Sequence, residues 1–154
     1  MTATMLTVPV RDANATEALG ARLANAGAPA GVIFLEGELG AGKTTFVRGW
    51  LRALGFDGPV RSPTYTLMES YELPRGRVLH LDLYRVRDPE EVDYLGLGDA
   101  LDAQTVAFIE WPSLGRGYVP DPDLIIAIDY APQGRVFRLD ARTAAGAAWL
   151  ASAR

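Results

Sequence analysis

Cysteine is absent from this 154-residue chain, and histidine and lysine each occur once, as His80 and Lys43. Without cysteine there can be no disulfide framework, thiolate nucleophile or Cys/His zinc site. A hard cation held by oxygen ligands remains open. Positive charge is also in deficit: the net charge is -4 and the isoelectric point is near 5.0. Affinity for nucleic acid rests largely on Lys and Arg neutralising phosphates, so direct nucleic-acid binding is not expected, and any nucleic acid in the biology should be held by a partner. No apolar run reaches membrane-spanning length, and Met1 to Asp12 lacks a cationic start followed by an apolar stretch. A cytoplasmic protein without a membrane partner is the expectation. One core, and therefore one domain over 1–154, suits the length and the 49% hydrophobic content.

Against this background, the placement of the lone lysine carries weight. Lysine and arginine total 15, yet the only lysine lies in Gly37-Glu38-Leu39-Gly40-Ala41-Gly42-Lys43-Thr44, a full match to G-x-x-x-x-G-K-[ST]. An ammonium is a compact charge on a flexible stem and can slip between phosphates, whereas a guanidinium is a wide planar fork. Gly31 to Glu36 reads as a buried strand before the loop. After it, Phe46, Val47, Trp50, Leu51 and Leu54 fall on one face of a helix that Gly55 ends. In the order strand, glycine-rich loop, helix, the backbone N–H groups from Leu39 to Thr45 turn inward and the helix N-terminus favours anions. The Thr44 hydroxyl is then placed to ligate Mg²⁺ beside a nucleoside triphosphate.

Two further apolar runs end in an acid, Val78-Leu79-His80-Leu81-Asp82 and Val106-Ala107-Phe108-Ile109-Glu110. Carboxyl ends of parallel strands line ligand crevices, so Asp82 and Glu110 are candidates for the metal and the attacking water, their roles undivided. His80 alternates with Leu79 and Leu81 and shares the side of Asp82; a structural histidine is favoured over a general base. Arg85, Arg116 and Arg135 are candidates for charge stabilisation.

Elsewhere, Asn14-Ala15-Thr16-Glu17 resembles a capping box opening a helix to about Ala26. Tyr65 to Glu72 and Arg77 to Tyr84 should form one hairpin after the Ser62-Pro63-Thr64 turn, and Leu124 to Tyr130 with Arg135 to Asp140 a second. Asp88-Pro89-Glu90-Glu91 reads as a helix start interrupted by Gly96 and Gly98, and Thr143 to Ala153 as a final helix.

GELGAGKTT (Gly37 to Thr45), SPTYTL (Ser62 to Leu67), HLDLYR (His80 to Arg85) and IEW (Ile109 to Trp111), in this order and spacing, resemble the TsaE (YjeE) family nearly end to end. The resemblance implies an α/β single-domain P-loop NTPase fold, with a mixed, largely parallel central sheet, two antiparallel hairpins and flanking helices. It implies a small Mg²⁺-dependent ATPase of the tRNA threonylcarbamoyladenosine pathway, weak alone, with TsaD and TsaB as partners and TsaD performing the transfer. By position, Glu38, Leu39, Gly40, Ala41, Gly42, Lys43, Thr44 and Thr45 would hold ATP or ADP, and Thr44 with Glu110 the metal. Asp82 would be needed for hydrolysis, Thr64 would belong to a mobile segment, and Trp111 would sit beside the nucleotide. The base would lie near Asp12, Thr16 and Arg135. A small-molecule kinase is the alternative, but 88–105, where a phosphate-covering lid would be inserted, contains no Lys or Arg.

Overall fold

The computed structural model describes residues 4–26 and 28–154. Seven strands form one sheet: β1 (Met5–Val10), β2 (Gly31–Glu36), β3 (Met68–Leu73), β4 (Gly76–Asp82), β5 (Thr105–Glu110), β6 (Leu124–Ala131) and β7 (Gly134–Ala141), in the spatial order β1-β7-β6-β2-β5-β4-β3. The central strands β6, β2, β5 and β4 are mutually parallel, and antiparallel hairpin partners extend the sheet at both sides. The α/β fold with a mixed, mostly parallel sheet and two hairpins is thus as the sequence indicated.

Helices α1 (Ala13–Ala24), α2 (Lys43–Ala53) and α4 (Ala144–Ser152) cover one face, and α3 (Leu97–Ala100) is a single turn. Alternation along the buried strands divides two cores. Ile33, Leu35, Val106 and Phe108 face the helices, where Phe46, Trp50 and Trp149 pack edge to face, while Val32, Leu79, Leu81, Ala107 and Ile109 meet Leu83, Val92 and Leu97 on the other side. Such aromatic packing adds to the area each ring buries. Consequently His80, Asp82 and Glu110, in phase with Phe108, lie on the face covered by α2.

Several local expectations need correction. The N-cap of α1 is Asp12, whose carboxylate accepts the Ala15 N–H at 2.8 Å, so Asn14 and Thr16 lie inside the helix, which ends at Ala24. Strand β3 begins at Met68 rather than Tyr65, because the chain first closes a turn: the Leu67 N–H donates to the Pro63 carbonyl and Leu67 adopts a φ of 65°. Strand β4 stops at Asp82, whose side chain turns the backbone by accepting the Tyr84 N–H. The Asp88-capped segment Pro89–Leu95 is a 3-10 helix rather than an α-helix, with Val92 its one buried anchor, and it ends at Gly96 in the left-handed region. Strand β1 was not anticipated; it carries Pro9, which an edge strand tolerates.

Candidate functional site

The glycine-rich loop leaves β2 at Glu36 and enters α2 at Lys43. Gly40 and Gly42 have φ of 81° and 115°, values that a side chain would strain, so both glycines are required by the loop's path. Loop and helix sit at the carboxyl ends of β2 and β5, and the parallel registers align Leu35 with Glu110 and Glu110 with Asp82. Lys43 and the two strand-terminal acids therefore converge by topology.

Lys43 is buried, and its Nζ donates to the Gly37 carbonyl at 2.6 Å and lies 3.1 Å from Glu110 Oε1. The Trp111 ring stands 5.8 Å from the same nitrogen. The other Glu110 oxygen, Oε2, lies 2.6 Å from His80 Nε2. An ionised carboxylate only accepts, so Nε2 donates here and His80 is a buried support for Glu110. Burial pushes the Glu110 carboxyl up, but the His80 hydrogen bond and charge, with the Lys43 ammonium, outweigh it and hold the group below the ordinary 4.5. Glu110 is therefore ionised at neutral pH.

Asp82 is buried next to Glu110 in register, and its Oδ2 lies 3.5 Å from Thr64 Oγ1, which in turn shares a 2.7 Å hydrogen bond with Ser62. The turn at 62–67 thus meets the acid through one hydroxyl. Thr44 and Thr45 occupy the first turn of α2 and are half-buried. Thr16, buried on α1, faces the loop: a Cβ on Gly42 would lie 3.8 Å from its Cγ2. Asp12, one helical turn earlier, is exposed and spends one carboxylate oxygen on its cap. Arg135 stacks on Tyr130 at 4.2 Å, and Tyr130 donates to the Leu39 carbonyl at 3.0 Å. Glu38 and Leu39 are exposed at the loop tip, and Ala41 is buried beneath it.

Arg85 stacks on exposed Tyr65 at 4.4 Å, and Arg116 is exposed. Neither is brought to Lys43 by any contact among the described residues. Trp111 is half-exposed, has a left-handed φ of 55°, and packs against Tyr84 at 5.2 Å. Sequence reasoning gave no role to Tyr84, Tyr130 or the Gly37 carbonyl. Tyr84 was legible only as a member of the matched segment His80 to Arg85, Tyr130 only as the end of a hairpin strand, and the carbonyl had no signal.

A divalent cation fits these groups. Glu110 and Thr44 offer hard oxygen, and among the described residues no cluster of three His, Cys, Asp or Glu side chains could hold a metal alone. That donor set suits Mg²⁺, which keeps waters and shares phosphate oxygens rather than filling an all-protein cage.

A family model described as "Threonylcarbamoyl adenosine biosynthesis protein TsaE" matches residues 10–137. The chain is 43% identical over 115 residues to the tRNA threonylcarbamoyladenosine biosynthesis protein TsaE of Haemophilus influenzae, covering 75% of this chain and 73% of that one. To the protein of the same description from Bacillus subtilis it is 38% identical over 116 residues, covering 75% and 72%. In three dimensions it resembles the crystal structure of Bacillus subtilis YdiB with a TM-score of 0.80 and 28% identity, over 99% of this chain and 95% of that one. With the strand-loop-helix site and its paired acids in place, and matches of this extent, the chain belongs to the TsaE family.

Proposed function

We propose that, within tRNA threonylcarbamoyladenosine biosynthesis, this chain binds and hydrolyses ATP and uses the cycle to reset or regulate a complex of TsaD and TsaB, without transferring the group itself. The observation that carries this reading is the convergence on Lys43 of the glycine-rich loop, the Gly37 carbonyl and Glu110 at 3.1 Å. A buried ammonium needs anionic company, and Glu110 supplies it until phosphates arrive. Lys43 and the amides of Glu38 to Thr45 then bind the phosphates, leaving Glu110 free to act with Thr44 as a ligand for Mg²⁺. When bound, Mg²⁺ neutralises charge on the phosphate oxygens.

Asp82 orients the attacking water and accepts its proton, with Thr64 alongside. Trp111 packs beside the nucleotide, and Asp12, Thr16 and Arg135 border the base. Among the described residues no arginine contacts Lys43, which supports weak turnover alone and more with partners. The acidic charge supports leaving tRNA to TsaD and TsaB. A kinase is disfavoured, because 88–105 lacks basic residues and packs Val92 and Leu97 into the second core instead of standing free as a lid.

The test is to compare wild type with Asp82→Ala for ATP binding, for turnover, and for tRNA modification with TsaD and TsaB. Retained ATP binding with turnover lowered about 100-fold or more is expected for loss of a group acting in proton transfer. Modification should fall as well. Undiminished turnover would remove Asp82 from the chemistry, and full modification by a variant without turnover would remove hydrolysis from the function.

A further inference from the structure

The glycine-rich loop contains a tight turn over Glu38 to Ala41. The Ala41 N–H donates to the Glu38 carbonyl at 3.0 Å, and Gly40, third of the four residues, has a φ of 81°. That combination marks a type II turn, whose central peptide is nearly reversed relative to that of a type I turn. Glycine at the third position tolerates both forms, so the loop sequence by itself leaves the direction of the Leu39–Gly40 peptide undecided. Direction matters, because the C=O and N–H of a planar trans peptide point to opposite sides. Whatever holds the Leu39 carbonyl therefore aims the Gly40 N–H, which has no backbone acceptor among the described residues.

Tyr130 holds that carbonyl. Its hydroxyl donates to the Leu39 oxygen at 3.0 Å, and a Cβ on Gly40 would lie 3.5 Å from the same hydroxyl. Tyr130 sits near the end of β6 opposite Arg135 of β7, whose guanidinium stacks on the ring at 4.2 Å. Arg135 is in turn in register with Val10 of β1, so three adjoining strands brace the tyrosine. The side chain is 50% exposed and lies outside both cores, so the fold does not depend on its hydroxyl.

We propose that Tyr130 is a positioning residue for nucleotide binding, which rests on the phosphate-binding reading of residues 37–45: it fixes the Leu39–Gly40 peptide in the orientation that turns the Gly40 N–H to the phosphates. Without the hydroxyl the peptide is free to flip, and affinity falls by the fraction of loop that remains in the receptive form.

The test compares the full-length wild type with Tyr130→Phe, which removes the hydroxyl and keeps the ring against Arg135. ADP and inorganic pyrophosphate, each with Mg²⁺, are titrated calorimetrically, and the Gly40 amide is followed in ¹H–¹⁵N spectra of the nucleotide-free proteins. Both ligands should weaken by the same factor, about three- to tenfold for one hydrogen bond, with the unfolding midpoint unchanged. The Gly40 amide resonance should shift or broaden. Undiminished pyrophosphate affinity in Tyr130→Phe, an unmoved Gly40 amide, or weakened affinity that tracks a lowered unfolding midpoint would each overturn the proposal. Loss for ADP alone would likewise overturn it, by assigning Tyr130 to the base. Failure of wild type to bind either ligand would instead refute the phosphate reading itself, and this role with it.

Discussion

Glu110 is the residue on which most of the site's charge converges, since one carboxylate meets Lys43 through Oε1 and His80 through Oε2. Its pKa is lowered on folding, so its ionised form stabilises the native state above the ordinary value of 4.5, and that contribution is lost as pH falls through the lower folded value. Comparing urea midpoints of wild type and Glu110→Gln should therefore give a gap at neutral pH that narrows as pH falls below the ordinary value of 4.5 toward the lower folded value. A gap unchanged across that range would mean that the carboxylate is not held by these partners. The separate placement of His80 and Glu110 was legible, because strand alternation set His80 opposite Leu79 and Leu81. Their 2.6 Å contact was not, because it depends on β4 and β5 being neighbours across 30 residues of chain.

Among the helices, α1 and α2 cross at close range. A Cβ on Gly49 would lie 2.1 Å from the Glu17 carbonyl oxygen, and one on Gly20 would lie 2.3 Å from that of Phe46. The helices thus touch backbone to backbone, with Glu17 and Arg48 paired at 3.1 Å beside the contact. Gly49→Ala should cost about 1–3 kcal/mol in equilibrium unfolding through overpacking, whereas Gly98→Ala, which meets nothing within 4 Å, should be neutral or slightly stabilising. Equal stability of the two variants would contradict the close crossing. Elements with strong local signals were read closely from sequence: β2 and β5 as continuous apolar runs, and α2 from its apolar face and Gly55. Where local signals conflicted, the reading failed. Pro9 obscured β1, the Leu67 turn shortened β3, and the short acidic stretch 89–95, with Val92 as its one buried residue, settled into a 3-10 helix.

At the level of the whole molecule, β2 stands between β6 and β5, so the loop emerges where acids from β5 and β4 can reach it and where the β6–β7 hairpin brings Tyr130 to Leu39. Sequence indicated the parallel character of the sheet and the identity of the loop, but strand order is a product of long-range pairing that local periodicity does not encode. For the same reason the convergence of Lys43, Asp82 and Glu110 was foreseeable, while the Tyr130–Leu39 link was not. No helix among the described residues is long and apolar enough to cross a membrane. The most direct measurement of the central claim is calorimetric titration of ATP with Mg²⁺ into wild type and Lys43→Ala, with folding of the variant checked by circular dichroism. Saturable binding by wild type, weakened at least about tenfold when the only ammonium at the loop is deleted, is the expected result; equal affinity in a folded Lys43→Ala variant would contradict phosphate binding at residues 37 to 45.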